Sequence, residues 1–284
     1  MALKNLSVNC LLKAPARKRF PSGYTPIIEG KPRGATPAKL DSDFGILRLG
    51  RKRSKTVTTT GETAWVLLHG ELTAVVGEET FTASRASLFD EEPATLHVGA
   101  GTTVKLSAGE NGAELAEVRS PLKRQLPTRF TIGGDLPSEH RGAGLVQGTC
   151  QRCVRTVFDY STRPESGLVI GEVVNYPGRW SSYPPHHHPQ PEIYHYRFTK
   201  PQGYGHAELG DDVLKVTEGD TVVIPDGLDH AQVSAPGYGM YYLWIVRHLP
   251  RRPYKGFTFT KAHTWLLDPN DQGWAPNLPS NPAQ

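Results

Sequence analysis

Pro184-Pro185-His186-His187-His188-Pro189-Gln190-Pro191-Glu192-Ile193-Tyr194-His195-Tyr196-Arg197 is the stretch on which the reading of this chain turns. A Pro-Pro pair leading into extended backbone gives the side chains a period of two, which puts His186 and His188 on one face and His187 on the other. Pro189-Gln190-Pro191 lets the chain return, and Glu192 opens the next strand with a carboxylate able to point at the same place. Further on, Gly219-Asp-Thr-Val-Val-Ile-Pro225-Asp-Gly227-Leu-Asp-His230 supplies a bend at Gly219, a strand through Val222-Val223-Ile224 and a tight turn at Pro225 and Gly227 that aims His230 back across a barrel. Three imidazoles and one carboxylate are mixed nitrogen and oxygen donors suited to a divalent first-row metal, with positions left for water or substrate. The competing reading is a polar loop run and an isolated surface histidine, and two segments in the right order weigh against it.

Working outward, short apolar and β-branched runs follow one another at 156–159, 168–175, 192–198, 204–209, 213–216, 221–224, 231–235 and 240–246. That count is the one expected of a double-sheet jelly roll. The first half shows two runs within 65–83 and others at 94–98, 102–106 and 113–118, punctuated by Gly, Asn and Pro. Between them, 119–141 is dense in Pro, Gly, Lys and Arg and reads as a linker. The expected fold is therefore all-β, two tandem jelly-roll barrels. Residues 1–140 form a front barrel without metal that ends in the linker. Residues 141–284 form a metal-binding barrel with a polar tail from about Pro250 that wraps the barrel or frays.

Composition agrees. Gly 29 and Pro 24 in 284 residues lie well above average usage and argue against an α-helical bundle. With 32 Lys and Arg against 28 Asp and Glu, the net charge of +4 is too mild to point to nucleic acid. The basic run Arg51-Lys52-Arg53-Ser54-Lys55 reads as a solvated turn. No apolar stretch is long enough for a membrane helix, and Met1 to Phe20 has no apolar core of a signal peptide, so a cytoplasmic protein without membrane attachment is expected. Three cysteines, Cys10, Cys150 and Cys153, are too few for a disulfide framework and read as reduced thiols.

The two histidine segments resemble the paired motifs of the cupin superfamily, G-x5-H-x-H-x3/4-E-x6-G and G-x5-P-x-G-x2-H-x3-N. His186-x-His188-x3-Glu192 and Gly219-x5-Pro225-x-Gly227-x2-His230 fit their cores, while seven residues separate Gly178 from His186 and Ser234 stands in place of the closing Asn. More narrowly, Asn175-Tyr-Pro-Gly-Arg-Trp-Ser-Ser-Tyr-Pro-Pro-His186-x-His188, Glu192-Ile-Tyr-His-Tyr-Arg197, Pro201-Gln-Gly-Tyr-Gly205 and Ala235-Pro-Gly-Tyr-Gly-Met-Tyr-Tyr-Leu243 together are similar to the 5-deoxy-glucuronate isomerase family of inositol catabolism. The resemblance implies a bicupin whose C-terminal barrel holds a divalent metal through His186, His188, Glu192 and His230, zinc first, with Mn, Fe and Ni as alternatives. It implies conversion of 5-deoxy-D-glucuronate, an aldose, to the ketose 5-dehydro-2-deoxy-D-gluconate, and the uronate ketol-isomerases of pectin breakdown would use the same metal set. Two departures stand out: Leu228-Asp229 puts two residues rather than one between Gly227 and His230, and Trp244 follows Tyr-Tyr-Leu in place of Asn.

Strand alternation from Glu192 places Tyr194, Tyr196 and Phe198 on its face and Ile193, His195 and Arg197 on the other. Tyr194 and Tyr196 are thus candidates for the pocket and its proton transfers, and His206, on one face with Glu208, is a candidate base. Arg179, Tyr183 and Tyr242 are candidates for holding a small-molecule sugar acid, the expected partner, and Trp244 shares Tyr242's face. In the front barrel His69 and His97 are isolated, so that barrel is expected to serve packing or a homodimer. The alternatives to an isomerase are a cupin dioxygenase and a non-catalytic sugar-binding bicupin.

Overall fold

Short runs rich in Val, Ile, Thr and Tyr, broken by glycine and proline, give the chain an all-β architecture. The computed structural model describes residues 10–14, 20–29 and 40–277, so most of the Met1 to Phe20 stretch and the last residues of the tail lie outside it. In chain order the strands are β1 (Leu11–Leu12), β2 (Gly23–Ile28), β3 (Asp43–Leu49), β4 (Ser54–Thr58), β5 (Thr63–Val76), β6 (Glu79–Arg85), β7 (Ala94–Val98), β8 (Thr103–Arg119) and β9 (Arg129–Ile132). There follow β10 (Glu139–Arg141), β11 (Arg152–Phe158), β12 (Leu168–Asn175), β13 (Trp180–His187), β14 (Glu192–Phe198), β15 (Tyr204–Leu209), β16 (Asp212–Thr217), β17 (Thr221–Ile224), β18 (His230–Ser234), β19 (Met240–Arg247) and β20 (Thr258–Phe259).

In the front half β5 and β8 are long and pair along their whole length, with register shifts at Leu67/His69 and Gly70/Leu72. Such bulges bend a ladder. At the bend Gly70 has φ +98° and a Cβ there would meet the Gly112 carbonyl oxygen at 2.2 Å, so the position requires glycine. On one side of the bend β2, β3, β7 and β9 extend the sheet; on the other, β4 and β6 flank the far ends of β8 and β5. Trp65, Leu67 and Leu115 from the first part pack against Leu72, Ala74, Val104 and Leu106 from the second, which makes the front core.

The rear half is a sandwich of a seven-stranded sheet, ordered β1-β17-β14-β19-β12-β11-β10, and a five-stranded sheet, ordered β16-β15-β18-β13-β20. Tyr194, Tyr196, Phe198 and Tyr242 from the first face Ala207, Leu209, Leu214 and Val216 from the second. The other face of the seven-stranded sheet, with Ile170, Ile193, Tyr241 and Leu243, packs on Phe44, Ile46, Val66 and Val118 of the front half. At that junction Arg85 forms a fully buried fork with Glu172, at 2.7 and 2.8 Å, and the Tyr241 hydroxyl donates to the same carboxylate at 2.7 Å.

Two details differ from the sequence reading. The 119–141 stretch read as a linker carries β9 on the edge beside β7 and β10 beside β11, because its prolines and glycines flank these short ladders without entering them. And β1, in the first half of the chain, is hydrogen-bonded to β17 of the rear sheet. Arg51 and Lys52 sit in an exposed turn and pair with Glu110. Cys10, Cys150 and Cys153 are buried and form no disulfide. No helix among the described residues is long and apolar enough to cross a membrane.

Candidate metal centre

β13 and β18 are antiparallel neighbours, and their register sets His186 directly opposite His230, with ring centroids 4.4 Å apart. His188 follows the end of β13, where its carbonyl accepts a bond from Gly227 N at 2.9 Å and so latches the Pro225–Gly227 turn ahead of His230. The ligand atoms of His186, His188 and His230 all lie within 4.8 Å of one another, and all three side chains are buried. From the facing sheet, Glu192 at the start of β14 brings a carboxylate oxygen to 3.1 Å from His188 Nε2 and 3.4 Å from His230 Nε2. His187 points the other way and donates through Nδ1 to Asp229 at 2.7 Å, as the period of two requires.

His186 Nδ1 donates to the Ser182 carbonyl at 3.3 Å and His230 Nδ1 to the Leu228 carbonyl at 3.1 Å, which turns the unprotonated Nε2 of each inward. The two-residue turn Leu228-Asp229 therefore has work for both members: one orients His230, the other pairs with His187. His188 Nδ1 and His230 Nε2 are buried without a hydrogen-bond partner. Burial, reinforced by His230, pushes His186 down to about 3. Burial acts to raise the Glu192 carboxyl, but the neighbouring His188 and His230 outweigh it and bring the group to about 2. Three imidazoles, two of them with an unpaired buried nitrogen, beside an ionised carboxylate are the donor set that a divalent cation needs, so these four residues fit one.

His186 and Glu192 open on a small cavity of about 70 Å³, lined also by Ser182, Tyr183, Tyr194, Tyr242, Trp244, Arg141 and Arg152. Tyr254, Phe257 and Phe259 of the C-terminal segment roof it. The roof is held by β20, which pairs with His186 and His187, and Phe257 lies 4.2 Å from the His186 ring. Beyond Trp244, Tyr254 and Phe257 lies an outer chamber of about 590 Å³. The Trp244 indole packs against Gly171 on the neighbouring strand, where a Cβ would come within 2.3 Å of it. It forms a wall common to cavity and chamber, on the same side as Tyr242.

Of the residues singled out from sequence, Tyr183, Tyr194 and Tyr242 line the cavity. Tyr196 does not. It shares Glu192's face but lies two strand repeats deeper, in the rear core, where its hydroxyl donates to Gln232 at 2.6 Å. His206 and Glu208 lie on the outer face of β15, because the apolar Ala207 and Leu209 between them take the inner one. Arg179 sits in the turn before β13; its carbonyl accepts bonds from Asn175 Nδ2 and Ser234 N, and its side chain is not part of the cavity wall. Among the described residues the front half shows no ligand cluster: His97 is bound to Glu62 at 2.9 Å and His69 is exposed.

The structure adds residues the sequence did not reveal. Ser182, at φ +52°, orients His186 through its carbonyl, while its hydroxyl contacts the Tyr194 and Tyr242 hydroxyls at 3.1 and 3.2 Å. Tyr242 donates onward to Ser181 at 3.0 Å. Arg141, Arg152 and the aromatic roof come from segments with no motif; the available signal was the aromatic run from Tyr254 to Phe259 in the tail.

A family model described as the KduI/IolB family matches residues 14–266. The chain is 30% identical over 221 residues to a 5-deoxy-glucuronate isomerase of Shouchella clausii, spanning 71% of this chain and 78% of that protein. To a 5-deoxy-glucuronate isomerase of Halalkalibacterium halodurans it is 28% identical over 277 residues, spanning 91% and 99%. Among solved structures, an IolB-like protein from Salmonella typhimurium LT2 matches with a TM-score of 0.72 and 27% identity, over 80% of this chain and 90% of that one. An oxalate decarboxylase from Lactobacillus farciminis, at TM-score 0.56 and 14% identity over 77% and 79% of the two chains, shares the fold alone.

Proposed function

The chain belongs to the KduI/IolB family of isomerases, and from that premise we propose that it is a metal-dependent aldose-ketose isomerase converting 5-deoxy-D-glucuronate to 5-dehydro-2-deoxy-D-gluconate in the breakdown of myo-inositol. The observation that carries the reading is the meeting of His186, His188, His230 and Glu192 at a roofed cavity rich in tyrosine hydroxyls. A divalent cation held by those four groups would supply Lewis-acid stabilisation of the negative charge that develops on the sugar oxygens.

The isomerisation breaks C2–H and O2–H and forms C1–H and O1–H: the carbon-bound hydrogen passes from C2 to C1 within the substrate while the hydroxyl proton passes from O2 to O1, so the site needs proton donors beside those oxygens. Tyr194 and Tyr242 face the cavity, and burial first of all raises both hydroxyls, Tyr242 to about 12. Both therefore keep their protons at neutral pH and act as hydrogen-bond donors. Ser182 links the two, and Ser181 extends the chain, which gives a continuous hydroxyl path along which a proton passes from one sugar oxygen to the other. Tyr254, Phe257 and Phe259 cover the cavity, exclude bulk water and so strengthen each of these interactions.

The test is incubation of the metal-loaded protein with 5-deoxy-D-glucuronate, followed by NMR. Appearance of the ketose supports the reading; no conversion with Zn, Mn, Fe or Ni overturns it. His186→Ala or His188→Ala is expected to abolish both metal retention, read by elemental analysis, and turnover. Full occupancy in either variant would remove these residues from the ligand set.

A further inference from the structure

We propose that Arg152 receives the substrate's carboxylate and is the residue by which the site selects an anionic sugar over a neutral one. The proposal rests on the isomerase reading above and adds to it how the far end of the substrate is held. Alternation along β11 sends Arg152 and Val154 to the interior, while Cys153 and Arg155 face the front half, where Arg155 donates to the carbonyls of Leu88, Phe89 and Glu91. Arg152 thus reaches the same cavity as His186 and Glu192.

Its charge has no direct ion-pair partner, the Glu139 carboxylate acting on it only from beyond contact. The guanidinium donates from Nη1 to the Cys150 carbonyl at 2.9 Å, and among the described residues no carboxylate stands within ion-pair distance of it. Burial, together with the adjacent cation Arg141, pushes the Arg152 guanidinium down from its usual range. Arg141 cannot substitute, because Glu139 already takes its Nε and Nη2 as a two-pronged fork at 2.8 and 2.9 Å. A half-buried cation without a contacting counter-ion is unfavourable, and a planar guanidinium matches a carboxylate with two parallel bonds. Two further cations of the rear half are placed elsewhere: Arg247 pairs with Asp41, and Lys200 lies in a cleft between the two halves.

The experiment compares the metal-loaded wild type with Arg152→Gln and Arg152→Lys on 5-deoxy-D-glucuronate and on its neutral carboxamide. For Arg152→Gln, catalytic efficiency on the acid is expected to fall about 100-fold or more, carried mainly by a rise in KM, with a far smaller loss on the amide. The acid-to-amide ratio then collapses toward one. Arg152→Lys should fall between. Metal content and melting temperature equal to wild type establish that the site is intact. An unchanged acid-to-amide ratio in an intact Arg152→Gln overturns the proposal while leaving the isomerase reading in place. If the wild type turns over neither compound, the isomerase reading falls, and calorimetric titration with D-glucuronate decides for Arg152: binding by wild type that is lost in Arg152→Gln supports it, and equal or absent binding in both overturns it.

Discussion

Ser182 carries more of the site than its size suggests. Held in left-handed backbone, a conformation that disfavours side chains other than glycine and asparagine, it orients one imidazole and two phenols at once. Ser182→Ala keeps the carbonyl and removes the hydroxyl bridge. The expected outcome is retained metal with kcat reduced about 10² fold, the usual scale for loss of proton transfer, measured by steady-state kinetics alongside elemental analysis. An unchanged kcat would take the bridge out of the mechanism. The four candidate ligands were legible in the sequence because period-two alternation and tight turns are local rules. Alternation gives a face but not a depth, which is why Tyr196 was grouped with Tyr194 although it lies in the core. His206 had a readable signal in Ala207 and Leu209, whose apolar character claims the inner face of β15. Arg152 had none, since both faces of β11 mix charged and apolar residues.

At the scale of the element, the strands around the centre have the bounds their patterning suggests: 168–175, 192–198, 204–209 and 221–224 coincide with β12, β14, β15 and β17. β3, Asp-Phe-Gly-Ile-Leu-Arg-Leu, escaped because it is buried on both faces and does not alternate. The C-terminal segment was legible as a wrapping tail but not as a roof, because its aromatic residues find their place only against β13. Phe257 packs at a tilt against His186 yet remains 39% exposed, so it contributes more to closing the site than to the core. Phe257→Ala is expected to lower kcat/KM about 10-fold through easier water entry. Its melting temperature should stay within about 2 °C of wild type, since a surface change seldom exceeds ~0.5 kcal/mol. A large drop in stability with unaltered kinetics would make the segment a structural strap instead.

Across the whole molecule the two halves are joined by a buried polar network set in an apolar interface. Removing one member leaves a charge without its partner, so Arg85→Met should destabilise the protein by about 3–5 kcal/mol in chemical denaturation, and Arg85→Met combined with Glu172→Gln should recover part of that. Recovery failing altogether would show that packing, not charge, dominates there. Buried histidines at the same junction make stability depend on acidity. Burial lowers the pKa of His97, and burial with Arg197 nearby lowers that of His195. The unfolded chain takes up a proton on each below about 6.5 while the folded chain resists, so stability present above that pH is lost as pH falls, by about 1.4 kcal/mol per pH unit for each histidine. Melting temperatures should decline from pH 7 to 5, and His195→Gln should flatten the slope; parallel slopes would assign the decline to other groups. The seating of β1 against β17 bears on how the gene can be divided. A fragment starting at residue 141 would be made without its outermost strand, leaving the β17 amides and carbonyls bare, and such an open border recruits neighbouring chains into precipitates. The cover over Ile170, Ile193, Tyr241 and Leu243 would be gone as well, so co-production with a peptide carrying Leu11 and Leu12 should lessen the precipitation and co-production with residues 1–140 should abolish it.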